Sequence, residues 1–80
     1  MRFSSMPSYR ISVLNATFSV VDVEEHPDGA AAAEQAIRGA LAMGSEQVLA
    51  GQNFFGAHVT VSDGENSERF IVSIGVSPLQ

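Results

Sequence analysis

Residues 24–51 read EEHPDGAAAAEQAIRGALAMGSEQVLAG, and they decide the fold. Pro27 lacks an amide hydrogen and ends whatever strand precedes it, and Asp28 is placed to cap the first free amides of a helix. From Gly29 to Ala50 the text is alanine-rich, free of proline and almost free of β-branched residues, so it predicts one long helix. Gly51 stands where a left-handed residue commonly closes a helix. At 100° per residue, Ala30, Ala33, Ile37, Ala40, Leu41, Gly44 and Val48 form a stripe expected to face the core. A second stripe of small or apolar residues, Ala32, Ala36, Gly39, Met43 and Ala50, is left over.

Outward from the helix the period changes from 3.6 to 2. Upstream, Tyr9, Ile11 and Val13 alternate with Arg10 and Ser12, which predicts a half-buried strand. Asn15-Ala16 interrupts it, with Asn15 expected in the left-handed conformation of a tight hairpin. A second strand runs from Thr17 to about Glu24, with Phe18 and Val20 on one face and Val21 and Val23 on the other. Apolar residues on both faces predict a central or doubly covered strand. Downstream, Phe55, Ala57, Val59 and Val61 alternate with Gly56, His58, Thr60 and Ser62. Asp63-Gly64-Glu65-Asn66 is turn text, and Phe70, Val72, Ile74 and Val76 alternate again. The predicted fold is α+β: an antiparallel four-stranded sheet with one helix packed on one face, order β-β-α-β-β. Residues 9–76 form the single domain, with a flexible N-terminal leader at 1–8 and a tail at 77–80.

The small residues of the helix let its axis approach the sheet, so core volume must come from Phe18, Phe55, Phe70 and the branched strand residues. One helix covers one sheet face only. The second helix stripe (Ala32, Ala36, Gly39, Met43), together with Val21 and Val23 on strand two, is therefore the expected interface of a homodimer.

Composition bounds the function. The 80 residues hold 4 basic and 9 acidic side chains, a net charge of −5, with 45% hydrophobic residues and no cysteine. A single folded domain is expected, without disulfides, thiolate metal sites or a thiol nucleophile. All the basic residues are arginines (Arg2, Arg10, Arg38, Arg69), scattered along the chain, which argues against nucleic acid and against an anionic membrane surface. Were the strands of Arg10 and Arg69 neighbours, they would present a small anion-binding surface. No apolar run has the length of a membrane span, and the N-terminus lacks a signal-peptide core, so a cytoplasmic location is expected.

The densest polar cluster lies at Asp22, Glu24, Glu25, His26 and Asp28. Carboxylates beside an imidazole suit a hard divalent cation, so Glu24, Glu25, His26 and Asp28 are candidate metal ligands of a small regulatory protein. The competing reading is a solvated strand end and a helix cap, with acids favoured by the helix dipole. His58 would act as a general base only beside an orienting carboxylate. Gly51-Gln52-Asn53-Phe54-Phe55-Gly56 lacks the Lys-Ser/Thr ending of a phosphate loop, and no serine sits in a nucleophile elbow. These readings favour a non-enzymatic interaction module with no cofactor.

Tyr9-Arg10-Ile11, the acidic run Glu24-Glu25-His26-Pro27-Asp28 followed by Ala31-Ala32, and the closing segment Phe55 to Asp63, Gly64, Phe70-Ile71-Val72 together resemble a family of short bacterial proteins, a domain of unknown function. The likeness covers most of residues 9–76. It departs at His26, where the family usually has leucine, and at Asn15-Ala16, where Asp-Gly is commoner. The resemblance implies a ββαββ fold and carries over no catalytic residue. The strand and helix inventory is also loosely similar to that of small α/β antitoxin-like modules.

Overall fold

The computed structural model describes residues 6–79. Most of the expected leader therefore lies outside the described residues, as does Gln80. Strand β1 spans Ser8–Asn15, β2 Ser19–Glu25, helix α1 Gly29–Leu49, β3 Phe54–Ser62 and β4 Ser67–Gly75. The strands form one sheet in the order β2-β1-β3-β4, antiparallel at every pairing. The α+β architecture and the order β-β-α-β-β are as expected.

Helix α1 begins where the proline and the cap dictate. Asp28 is extended, and its Oδ1 accepts a hydrogen bond from the Ala31 amide at 2.9 Å. The helix ends in a Schellman motif: the Gly51 amide donates to the Val48 carbonyl, and the Gln52 amide donates to the Gln47 carbonyl, both at 3.1 Å. Gly51 takes φ of 116°, a value costly for any residue with a Cβ.

The buried face of the helix is rotated from the expected stripe. Ala32, Ala33, Ala36, Ala40 and Gly44 are buried, whereas Ala30 and Leu41 are exposed. Ala32, Ala36, Ala40 and Gly44 form a continuous i, i+4 row without a bulky side chain, so the helix settles on its flattest ridge. A Cβ built on Gly44 would lie 2.6 Å from Phe55 Cδ2 and 2.7 Å from Ile74 Cδ1. Volume comes from the sheet: Tyr9, Ile11, Val13, Phe55, Val59, Val61 and Val72 complete the core, with Phe18 and Phe70 packed at its margin.

Strand β2 departs most from expectation. It is an edge strand, not a central one, and it begins at Ser19 because Asn15 to Phe18 form the turn. Asn15 is not left-handed; no non-glycine residue among those described has positive φ. It closes the turn with its side chain, Oδ1 accepting from the Thr17 amide and hydroxyl at 2.9 Å and Nδ2 donating to the Gly56 carbonyl at 2.7 Å. The helix packs on β3, β4 and, to a smaller extent, β1. Val20 of β2 points to the helix side, opposite Val13, yet is 44% exposed.

Candidate functional site

The acidic segment does not gather into a metal site. Alternation along β2 places Glu24 on the helix side, opposite Tyr9, and Glu25 on the other side, opposite Ser8. Glu24 Oε1 lies 2.9 Å from His26 Nε2, and the His26 ring tilts at 56° to that of Tyr9 with centroids 6.3 Å apart. His26 is thus a local clamp that fastens the end of β2 to the opening of β1, where its amide also donates to the Pro7 carbonyl. Asp28 is engaged in the helix cap. Among the described residues no three histidine, aspartate or glutamate side chains are grouped to hold a metal ion. Glu24 and His26 therefore close the strand end and Asp28 caps the helix, while Glu25 projects on the opposite face.

The expected helical interface is also corrected. Ala32 is completely buried and Ala36 nearly so, both under the helix against the sheet, while Gly39 and Met43 are half-buried at its flanks. Ala32 and Ala36 of the small-residue stripe belong to the core and offer no free surface to a partner. Val21 and Val23 do lie open, at 51% and 61% exposure.

Those two valines belong to the sheet face opposite the helix. The registers set its rows. Val23, Arg10, Ser62 and Ser67 form one; Val21, Ser12, Thr60 and Arg69 the next; Ser19, Leu14, His58 and Ile71 the third. Beyond them Gly56 pairs with Ser73, and the exposed Phe54 ring leans over Gly56, 3.0 Å from where a Cβ would sit. An open trough of about 710 Å³ runs between Ser12, Leu14, His58, Thr60, Arg69 and Ile71. A more apolar groove of about 480 Å³, walled by Leu14, Phe54 and Ile71 over Gly56, continues from it.

Charge is segregated across the sheet. Of the 9 acids, Glu25 alone projects from a strand onto the open face, at its corner; Asp22, Glu24 and Glu68 point to the helix side, and the others sit on the helix, its cap or the β3–β4 turn. Arg10 and Arg69 both point to the open face. They are not on neighbouring strands, since β3 lies between them, and neither forms an ion pair among the described residues. Arg38, by contrast, pairs with Glu34 at 2.6 Å on the exposed helix surface. His58 is flanked in its row by Leu14 and Ile71, and among the described residues no carboxylate pairs with its ring.

Leu14, Phe54 and Ile71 escaped the sequence reading because strand parity shows which residues share a face but not which faces adjoin. The comparisons add no constraint: no family model, no curated protein and no solved structure matches the chain. Among the described residues no helix is long and apolar enough to cross a membrane.

Proposed function

We propose that this chain is a small non-enzymatic interaction module that pairs with a second copy of itself along β2. The observation that carries this reading is an unpaired edge strand whose valines are exposed on both faces: Val20 on the helix side, Val21 and Val23 on the other. An edge strand presents unpaired amides and carbonyls to any incoming strand, and exposed apolar side chains beside them favour the docking of one.

The sequence of β2 selects the geometry. An antiparallel pairing with its two-fold axis at Val21 sets Val20 opposite Asp22 of the second copy and Ser19 opposite Val23. It carries Glu24 and Glu25 out toward the second copy's turn, away from their counterparts. A parallel in-register pairing would bring Asp22, Glu24 and Glu25 beside their own copies, where like charges repel. The antiparallel arrangement is also isologous, so association stops at the dimer and does not continue into a filament.

Light scattering of the full chain between about 5 and about 500 µM, a range that brackets micromolar dissociation constants, should give the dimer mass. Val21→Glu combined with Val23→Glu should give a monomer with unchanged far-ultraviolet circular dichroism. Ile71→Glu, on the far edge strand, should leave the dimer intact. A wild-type monomer throughout, or a dimer broken by Ile71→Glu and untouched by the β2 substitutions, would overturn the proposal.

A further inference from the structure

The open face of β1, β3 and β4 lies away from the β2 edge and has a chemistry of its own. Its cations are Arg10 and Arg69, without an ion pair among the described residues of a chain of net charge −5, and its remaining polar side chains are the hydroxyls of Ser8, Ser12, Thr60, Ser62, Ser67 and Ser73 and the His58 ring. Folding alone does not require this segregation, since a chain with more than twice as many acids as bases has carboxylates to spare for two exposed arginines. From Thr60 to Phe54 the trough and groove run along β3 for about 20 Å, at roughly 3.4 Å per residue. They form a shallow channel, cationic at one end and apolar at the other.

We propose that this channel binds an extended acidic segment of another protein, carboxylates toward Arg10 and Arg69 and an apolar side chain between Leu14 and Ile71. Charge complementarity selects the occupant. A second copy laid face to face would offer the two arginines only one strand carboxylate, Glu25. A small molecule would stay largely uncovered on a face this open, whereas binding pockets enclose most of their ligand. A nucleic-acid strand requires more cations than two to displace its counterions. Arg10 and Arg69 stand two strands and two residues apart, about 12 Å between Cα atoms. Most of that distance lies across β3 and about 7 Å of it along β3, so two carboxylates two residues apart in a segment running along the channel match the offset.

Fluorescence anisotropy of the full chain can test this with a labelled peptide of roughly ten residues carrying two glutamates two positions apart and leucines beside them. Its glutamine counterpart and a labelled uridine oligonucleotide of similar length are the comparison probes. The acidic peptide should bind below about 1 mM, and binding should weaken about fivefold in Arg69→Gln and in Arg10→Gln, as for exposed charge pairs. Raising the salt from about 50 to about 300 mM should weaken it further, since exposed charges are screened. Ile71→Ser should weaken the acidic and glutamine peptides alike, and Arg38→Gln should change neither. Val20→Glu, which sets a glutamate opposite Asp22 of the second copy on the helix side of β2, should weaken the dimer and bind the peptide as wild type, so failure of the dimer and failure of this site are separable. No binding by the acidic peptide at about 1 mM, equal binding of its glutamine counterpart, or tighter binding of the oligonucleotide would overturn the proposal.

Discussion

The half of the sheet under the helix and the half beside it are built from similar text and meet different fates. β4 carries Phe70, Val72 and Ile74 on one parity, and the helix buries that face, leaving Ile71 alone on the other. β2 carries valine on both parities, and neither face is covered. Hydrophobic sequence in a strand thus does not by itself mean that the chain's own helix covers it. Because the helix lies over β3 and β4, the apolar residues of β2 are left exposed.

Phe54 and Phe55 condense the comparison into two adjacent residues. Phe55 is 1% exposed beneath the helix, and Phe54 is 63% exposed on the opposite face. Phe55→Ala should cost about 3–5 kcal/mol, enough to unfold much of the population of a domain this small. Phe54→Ala should change stability by no more than about 0.5 kcal/mol. Urea denaturation of the two variants measures the difference directly. Similar losses from both would mean that the open face is covered in the protein as it exists in solution.

Two glycines of the same helix sharpen the contrast with a smaller effect. Gly39 has open space where a Cβ would go, whereas at Gly44 that Cβ would press on the ring of Phe55 and on Ile74. Alanine is the better helix former by about 1 kcal/mol, so Gly39→Ala should stabilise the fold by about 0.5–1 kcal/mol. At Gly44 the same gain is outweighed, because Phe55 is enclosed and cannot swing away. Gly44→Ala should destabilise by about 1–3 kcal/mol, the usual range for overpacking. Opposite signs in denaturant midpoints would place the close helix–sheet approach at Gly44 and exclude it at Gly39.

What was legible in the sequence follows from the range of each interaction. The helix start at Pro27-Asp28, its stop at Gly51 and the parity of β1 and β3 are local, and a local reading finds them. The rotated helix face was hidden because about half of the helix positions are glycine, alanine or serine: alanine on all sides leaves hydrophobicity little to distinguish one stripe from another, and the close fit of Gly44 to Phe55 and Ile74 chooses. The edge position of β2 was hidden for a different reason. Strand order depends on which partner β1 takes on its second side, and β3 follows β2 only after the whole helix. Asn15 was read correctly as a turn residue but by the wrong means, since its bond to the Gly56 carbonyl spans two strands that adjacency in sequence never brings together.

The two hairpins offer the finest comparison. The β1–β2 turn is held by neutral Asn15, and the β3–β4 turn by Asp63, whose Oδ1 accepts from the amides of Glu65 and Asn66, both at 2.8 Å. Those backbone hydrogen bonds, Asn66 first and Glu65 second, hold the Asp63 carboxyl below its ordinary value of 3.8. A carboxylate whose folded value is depressed stabilises the fold above its unfolded value, and the contribution is lost as pH falls through the folded one. Asp63→Asn retains an acceptor oxygen but has no charge to lose. Melting temperatures of wild type and Asp63→Asn should therefore differ slightly at neutral pH, in favour of wild type, and converge on acidification below the ordinary aspartate range. Asn15→Asp should do the reverse, because it sets a carboxylate oxygen where Nδ2 donates to the Gly56 carbonyl: that variant should lose most at neutral pH and recover as its carboxyl is protonated. A constant wild-type advantage across the whole pH range would show that Asp63 holds its turn by shape alone. The two hairpins would then differ in residue type without differing in physics.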